Sequence, residues 1–146
     1  MSTNEHKRPE SVLVLIYTLS AEVLLLERRQ PAGFWQSVTG SLAWKETPGE
    51  AAIREVEEET GLLVPDQLVD CDYSNRFEIL PAWRSRYAPG VAWNTEHVFR
   101  VELAEMVPIR LSRLEHLRFD WLPARQALAR VSSHTNRTAI ERYLSA

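Results

Sequence analysis

Four glutamates, Glu55, Glu57, Glu58 and Glu59, occupy five consecutive positions near the end of residues 40–62, GSLAWKETPGEAAIREVEEETGL. The local signals around them are those of a helix. Thr47 is a good N-cap, Pro48 suits the first helical position, and Glu50 completes a capping box. Gly61 fits the left-handed residue that stops the helix. On such a helix Glu55 lies three and four residues from Glu58 and Glu59, so the carboxylates share a face. Each like-charge pair costs roughly 0.2–0.5 kcal/mol. The acids also gather at the C-terminal end, where the macrodipole favours cations. A cluster placed against both effects points to a divalent metal. Carboxylate oxygens without His or Cys companions favour Mg²⁺, or Mn²⁺, over zinc.

A solvated acidic helix face is the plain alternative, and for an arbitrary EVEEE run it is the better one. The spacing changes the odds. Gly40 is followed after five residues by Glu46, after seven more by Arg54-Glu55-Val56, then Glu58-Glu59 and Gly61-Leu62. This pattern resembles the signature of the Nudix hydrolases at every fixed position, and a chance match is on the order of 10⁻⁹ per starting position. Lys45 stands where many relatives have glycine, at a position the signature leaves free.

The resemblance implies an α/β fold, an α/β/α sandwich around a mixed β-sheet, and hydrolysis of a phosphoanhydride bearing an organic group. It implies metal ligation by Glu55, Glu58 and Glu59, with the backbone carbonyl of Gly40. Arg54 reads as a group that orients Glu55 or pairs with Glu46, and a helix salt bridge to Glu57 or Glu58 is the plainer reading. Such enzymes often recruit one more acid from a loop. Glu115, just before a short strand, is that candidate, as metal ligand, as base, or as both. Asp120 and Glu96 are its rivals. His116 suits a base on general grounds, although a lone histidine is more often structural or exposed. His6, His97 and His134 fall in that class.

At 146 residues the chain is expected to form a single domain, 1–146, with residues 1–10 polar and partly mobile. The net charge of −3 argues against a dedicated nucleic-acid surface. Cys71 is the only cysteine, so no internal disulfide forms, and the thiol reads as a small buried hydrophobe. Neither a signal core nor a run long enough to cross a bilayer is present in the sequence. A cytoplasmic protein, monomer or homodimer, is expected.

Residues 11–18, SVLVLIYT, are almost wholly apolar and read as a buried strand. Residues 22–28 read as a second strand, and 34–39 as a short one that delivers Gly40. The helix at 48–60 turns Ala52, Val56 and Ile53 to a sheet, and its acids outward. Residues 68–75 and 76–80 look extended, and 84–88 are ambiguous. Residues 94–103 alternate as a strand. A loop over 107–117, a strand over 118–122, a helix from Pro123 to 131 and a helix over 135–145 complete the chain.

Further stretches resemble the bacterial dihydroneopterin triphosphate pyrophosphatases of folate synthesis, nearly end to end. They include Phe34-Trp35-Gln36-Ser37-Val38-Thr39-Gly40-Ser41, Arg86-Tyr87-Ala88-Pro89-Gly90-Val91, Asn94-Thr95-Glu96 and Asn136-Arg137. This likeness implies cleavage of a small-molecule triphosphate, releasing pyrophosphate. It nominates Lys7, Arg28 and Thr39 as substrate contacts. Phe77, Glu78, Ile79 and Leu80 would flank the pterin, with Phe77 or Trp35 as a flat face, and Thr135 is a further contact. The alternatives are a nucleotide-pool hydrolase acting on dATP or an oxidised nucleotide, and a non-catalytic Nudix module that senses a ligand.

Overall fold

The computed structural model describes residues 6–144. Its elements are β1 (Glu10–Thr18), β2 (Glu22–Arg28), β3 (Trp35–Gln36), β4 (Val38–Ser41), α1 (Pro48–Thr60), β5 (Leu68–Glu78), a 3₁₀ turn (Pro81–Arg86), β6 (Trp93–Leu103), β7 (His116–Pro123), α2 (Ala124–Arg130) and α3 (His134–Leu144). No helix among the described residues is long and apolar enough to cross a membrane.

The sheet is mixed and centred on β1. β6 runs parallel to β1 along its whole length. The opposite edge of β1 is shared: Tyr17 faces Val23 of β2, whereas Ser11 to Val14 pair with β4. β3 stays on β2. Residues 35–41 therefore leave β2 and join β1, splitting the sheet at the end where Gly40 lies. β7 closes the outer edge of β2, and β5 that of β6.

Residues 12–18 of β1 are all buried, because both faces of the strand are covered. Alternate residues feed two cores. Val12, Val14 and Ile16 pack with Leu24, Leu26, Val38, Ala51, Ala52 and Val56 under α1. Leu13, Leu15 and Tyr17 pack with Val23, Leu25, Val98, Ala139 and Ile140 under α2 and α3. Each fully buried Val, Leu or Ile contributes roughly 1.5–3 kcal/mol, so these two layers hold the split sheet rigid beneath the site.

Helix α1 has the ends the sequence dictates. Thr47 and Glu50 form the reciprocal capping box, Pro48 opens the helix, and Gly61 closes it at φ 78°. One expectation is overturned. The acids do not all face outward: Glu55 and Glu59 are buried, at 8% and 1% exposure. They continue the buried stripe 51, 52, 55, 56, 59 and 60, which points at the sheet. Glu57 and Glu58 alone are exposed.

Elsewhere the differences are of extent. The two extended pieces at 68–80 form one bulged strand, β5, ending at Glu78. Residues 84–88 are largely taken up by the 3₁₀ turn, which Arg84 anchors through Ile79 O at 2.9 Å. β7 begins at His116 rather than 118 because the pairing with Arg28 extends it. Cys71 is half-buried against the second core rather than enclosed. Residues 6–10 are tied down: His6 O accepts from Trp44 Nε1, and Arg8 bonds Glu10, Ala43 O and Glu46 O. The expected mobility of residues 1–5 and the expected helix end at Ser145 lie outside the described residues.

Candidate active site

The site begins with a close approach. Gly40, on β4 opposite Val12, lies against Glu55, and a Cβ there would collide with the Glu55 carboxyl carbon and both its oxygens. Glycine at this position leaves the Glu55 carboxylate room against β4.

Arg54 then organises three acids. Its Nε and Nη2 fork onto the two oxygens of Glu46 at 2.7 and 2.8 Å. Its Nη1 donates to Glu55 at 2.8 Å and to Glu58 at 3.2 Å, and Nη2 also reaches Ser41 O at 3.1 Å. Arg54 thus bonds Glu46 and Glu55 directly and also makes the helix salt bridge to Glu58. The guanidinium holds the Glu46 carboxyl below its usual range, and the acids raise Arg54 further.

Glu59 has no such help. Among the described residues, neither of its buried carboxylate oxygens receives a hydrogen bond of standard geometry. Burial, followed by the adjacent Glu55 and then Glu115, pushes its carboxyl well above the usual range. His116 lies beside it, 2% exposed, with Nε2 3.6 Å from Glu59 Oε1 and Nδ1 unpartnered. Burial and then Arg28 depress the imidazole to about 4, so it is neutral at physiological pH. Glu59, Glu115 and His116 each offer a ligand atom within 4.8 Å of the others. Stranded carboxylate oxygens, a glycine-made gap and a converging donor set fit a divalent cation; a buried carboxylate lacking one costs several kcal/mol.

Cations face these acids. Lys7 N donates to Arg86 O at 2.8 Å, which lays the chain before β1 against the 3₁₀ turn. The Lys7 amine is lowered first by burial and then by Arg86 and Arg28, while Glu55 and Glu115 oppose the shift. Arg28 is depressed by burial and then by Arg86, with Glu59 and Glu115 acting against this. Its guanidinium lies 5.8 Å from the Phe34 ring and 5.7 Å from that of Trp83. Glu115 is raised by burial, then by Glu55 and Glu58. Lys7, Arg28 and Arg86 thus share one electrostatic neighbourhood with Glu55, Glu59 and Glu115.

The rival acids lie elsewhere. Asp120 pairs in register with Leu25, on the α2 face, and meets Arg130 at 3.8 Å. Glu96 pairs with Ser11 on that same face of the sheet. Thr39 also faces that side, its Oγ accepting from Gln36 at 2.9 Å, while its backbone N–H favours the charged form of Glu59. Thr135 is 5% exposed and bonds Ser133. Phe77 is half-buried, Glu78 pairs with Arg84, and Leu80 is 56% exposed. Ile79 is 3% exposed, with its N–H donating to Ala92 O and its carbonyl taken by Arg84, so it anchors the segment. Trp35 is core, with Arg130 over its ring at 4.9 Å. His97 is structural, 2.9 Å from Glu10.

The sequence reading did not single out Arg86 or Trp83 as site residues, and it offered His116 only as a general-purpose base, without its burial beside Glu59 and Glu115. The available signal for His116 was its place at the start of a strand beside Glu115.

The NUDIX domain family model matches residues 7–143. The chain is 45% identical over 148 residues, 99% of this chain and 97% of the other, to the Dihydroneopterin triphosphate diphosphatase of Escherichia coli strain K12. The chain belongs to the Nudix family. A Haemophilus influenzae Nudix relative, also called Dihydroneopterin triphosphate diphosphatase, is 43% identical over 96% of this chain and 90% of its own. Among solved structures, the E. coli dihydroneopterin triphosphate pyrophosphohydrolase superposes with a TM-score of 0.87 at 45% identity, covering 95% of this chain and 97% of that one. The MutT protein of Methanosarcina mazei Go1 matches with a TM-score of 0.71 at 26% identity, over 94% of both chains. The mixed sheet with helices on both faces is thus the Nudix fold.

Proposed function

We propose that this chain hydrolyses dihydroneopterin triphosphate to dihydroneopterin monophosphate and pyrophosphate, using Mg²⁺. The observation that carries the reading is the pairing of two things. One is the set of uncompensated acids, Glu59 and Glu115 beside Glu55, facing Lys7 and Arg28. The other is 45% identity, across almost the whole chain, to a protein named for that reaction.

In the reaction one water oxygen joins phosphorus, one phosphoanhydride bond breaks, and pyrophosphate leaves. Bound Mg²⁺ supplies neutralisation of the phosphate oxygens and lowers the pKa of water. The residues do the rest. Glu55 and Glu59, with Glu58, Glu115 and the Gly40 carbonyl, would hold the cation, and the neutral His116 would be a further donor. Lys7 and Arg28 bind phosphate oxygens; the aromatic rings around Arg28 hold its fork in place. Burial and the neighbouring acids raise Glu115, which makes its carboxylate a stronger base, suited to take the proton from water. Arg54 touches no substrate and positions Glu55.

The test is kcat/KM for dihydroneopterin triphosphate against dATP, GTP and oxidised nucleotides, with Mg²⁺ and with chelator. Pyrophosphate release should need the metal and favour the pterin. A nucleotide preferred by orders of magnitude would turn the assignment to pool cleaning. No turnover of any triphosphate would leave a sensing module.

A further inference from the structure

Metal and phosphate contacts are indifferent to the organic group. Glu96 is a buried carboxylate outside the acid cluster, and the reaction chemistry leaves it without a role. We propose that Glu96 reads that organic group: its carboxylate accepts the paired N–H donors of a 2-amino-4-oxopyrimidine edge, on the α3 face of the sheet. The assignment rests on the substrate reading above and specifies how that substrate is selected.

The register places the residues around Glu96. Ser41, Ser11, Glu96 and Asn75 form one cross-strand row over β4, β1, β6 and β5. Asn94 and Phe77 are paired in the next row. Thr39 faces the same side and is separated from β6 by two strand spacings, roughly 10 Å. Phe77 and Thr135 lie about Glu96: one diagonally across the β5–β6 pair, the other close enough for its hydroxyl to stabilise the carboxylate. Asn94 is fixed by donating to Ser11 Oγ at 2.8 Å.

Glu96 is 6% exposed, yet among the described residues no Lys or Arg pairs with it. Its Oε1 accepts from Asn75 Nδ2 at 3.2 Å. Burial outweighs Thr135, Asn75 and the nearby His134 and lifts the carboxyl above its usual range. Neutral donors compensate a buried carboxylate poorly. Two parallel N–H groups, one from the ring and one from the exocyclic amine, form the planar fork a carboxylate accepts best. A reduced pterin and guanine both present that fork. Adenine presents a ring acceptor beside its amine, which would face the carboxylate lone pairs. A site built around such a pairing rejects the wrong partner strongly, because its buried acceptor is then left bare. Phe77 adds a flat face for the ring. A purely structural tie between β5 and β6 would not need a charge, since backbone bonds already join those strands.

The experiment measures kcat/KM on the full chain with Mg²⁺ for dihydroneopterin triphosphate, GTP, ITP and ATP. GTP and ITP differ only in the 2-amino group. The native chain should favour the pterin over ATP by at least about 100-fold and GTP over ITP by at least about 10-fold. In Glu96→Gln, where one acceptor becomes a donor, both ratios should fall to near one. Ratios unchanged in Glu96→Gln overturn the assignment alone. A native GTP to ITP ratio near one overturns it without any variant, so a folding defect cannot shield it. A native preference for ATP over the pterin overturns the substrate reading itself.

Discussion

Glu46 and Glu59 belong to one stretch and one motif, and their surroundings are opposites. Glu46 receives a two-pronged guanidinium and the Ala43 N–H. Glu59 is more deeply buried and receives no hydrogen bond of standard geometry. The first acid is bonded into the scaffold. The second is held in a position that opposes its charge, and protonation or a bound cation relieves it. Within one motif, then, satisfied charge builds the frame and stranded charge marks the chemistry.

The largest expected effect breaks the stranded member. Glu59→Gln should lower kcat by about 10³-fold or more, since a direct metal ligand carries several kcal/mol of charge stabilisation. Its melting temperature in chelator should stay level or rise, because a buried charge has been removed. Activity and metal-free stability then move apart, which calorimetry beside steady-state kinetics would show. Near-normal turnover in saturating Mg²⁺ would refute the metal assignment. Glu55→Gln should also lose most turnover.

Gly40→Ala comes next. The added methyl must displace the Glu55 carboxylate or the helix carrying it. Turnover should fall by about 100-fold, as expected for an ångström of misplacement. Wild-type kinetics in this variant would show that α1 can retreat from β4 without consequence.

The same two acids should respond to pH with opposite sign in the chelated protein. Glu46 is depressed on folding, so its contribution is present above the unfolded value of about 4.3 and is lost as pH falls through the lower folded value. Glu59 is raised, so its contribution is present below about 4.3 and is lost as pH rises through its folded value. Chelated melts of native chain and Glu59→Gln should therefore converge toward acid and separate toward neutral pH. Glu46→Gln should show the reverse, with its deficit largest near neutrality. Parallel curves for both would erase the distinction between them.

These contrasts also set what was legible in the sequence. Local signals sufficed for α1, since a capping box and a left-handed glycine act within a few residues. They sufficed for β1, whose unbroken apolar run reports burial on both faces. The direction of the acids did not follow, because Glu55 and Glu59 are individually polar and only their phase against Ala51, Ala52 and Val56 turns them inward. Glu115 was legible as an acid next to a strand. His116 was not, because its burial depends on β7 pairing with β2 across more than eighty residues. Arg86 was hidden for a similar reason: it reaches Lys7 through a 3₁₀ turn that alternation does not reveal.

The smallest expected effect tests that hidden residue. Arg86 lowers both Lys7 and Arg28, so the three cations repel one another unless an anion lies between them. In the free protein Arg86 is therefore a burden, and with a triphosphate bound it becomes an asset. Arg86→Ala should leave the melting temperature of the free chain level or slightly higher, while KM for the triphosphate rises by about 10-fold, the equivalent of about 1.4 kcal/mol. Exposed charges are screened by salt, so the KM gap between variant and native chain should narrow as ionic strength rises. A gap that salt leaves untouched would mean the substitution acts by moving the 3₁₀ turn, and would remove Arg86 from the phosphate-binding set.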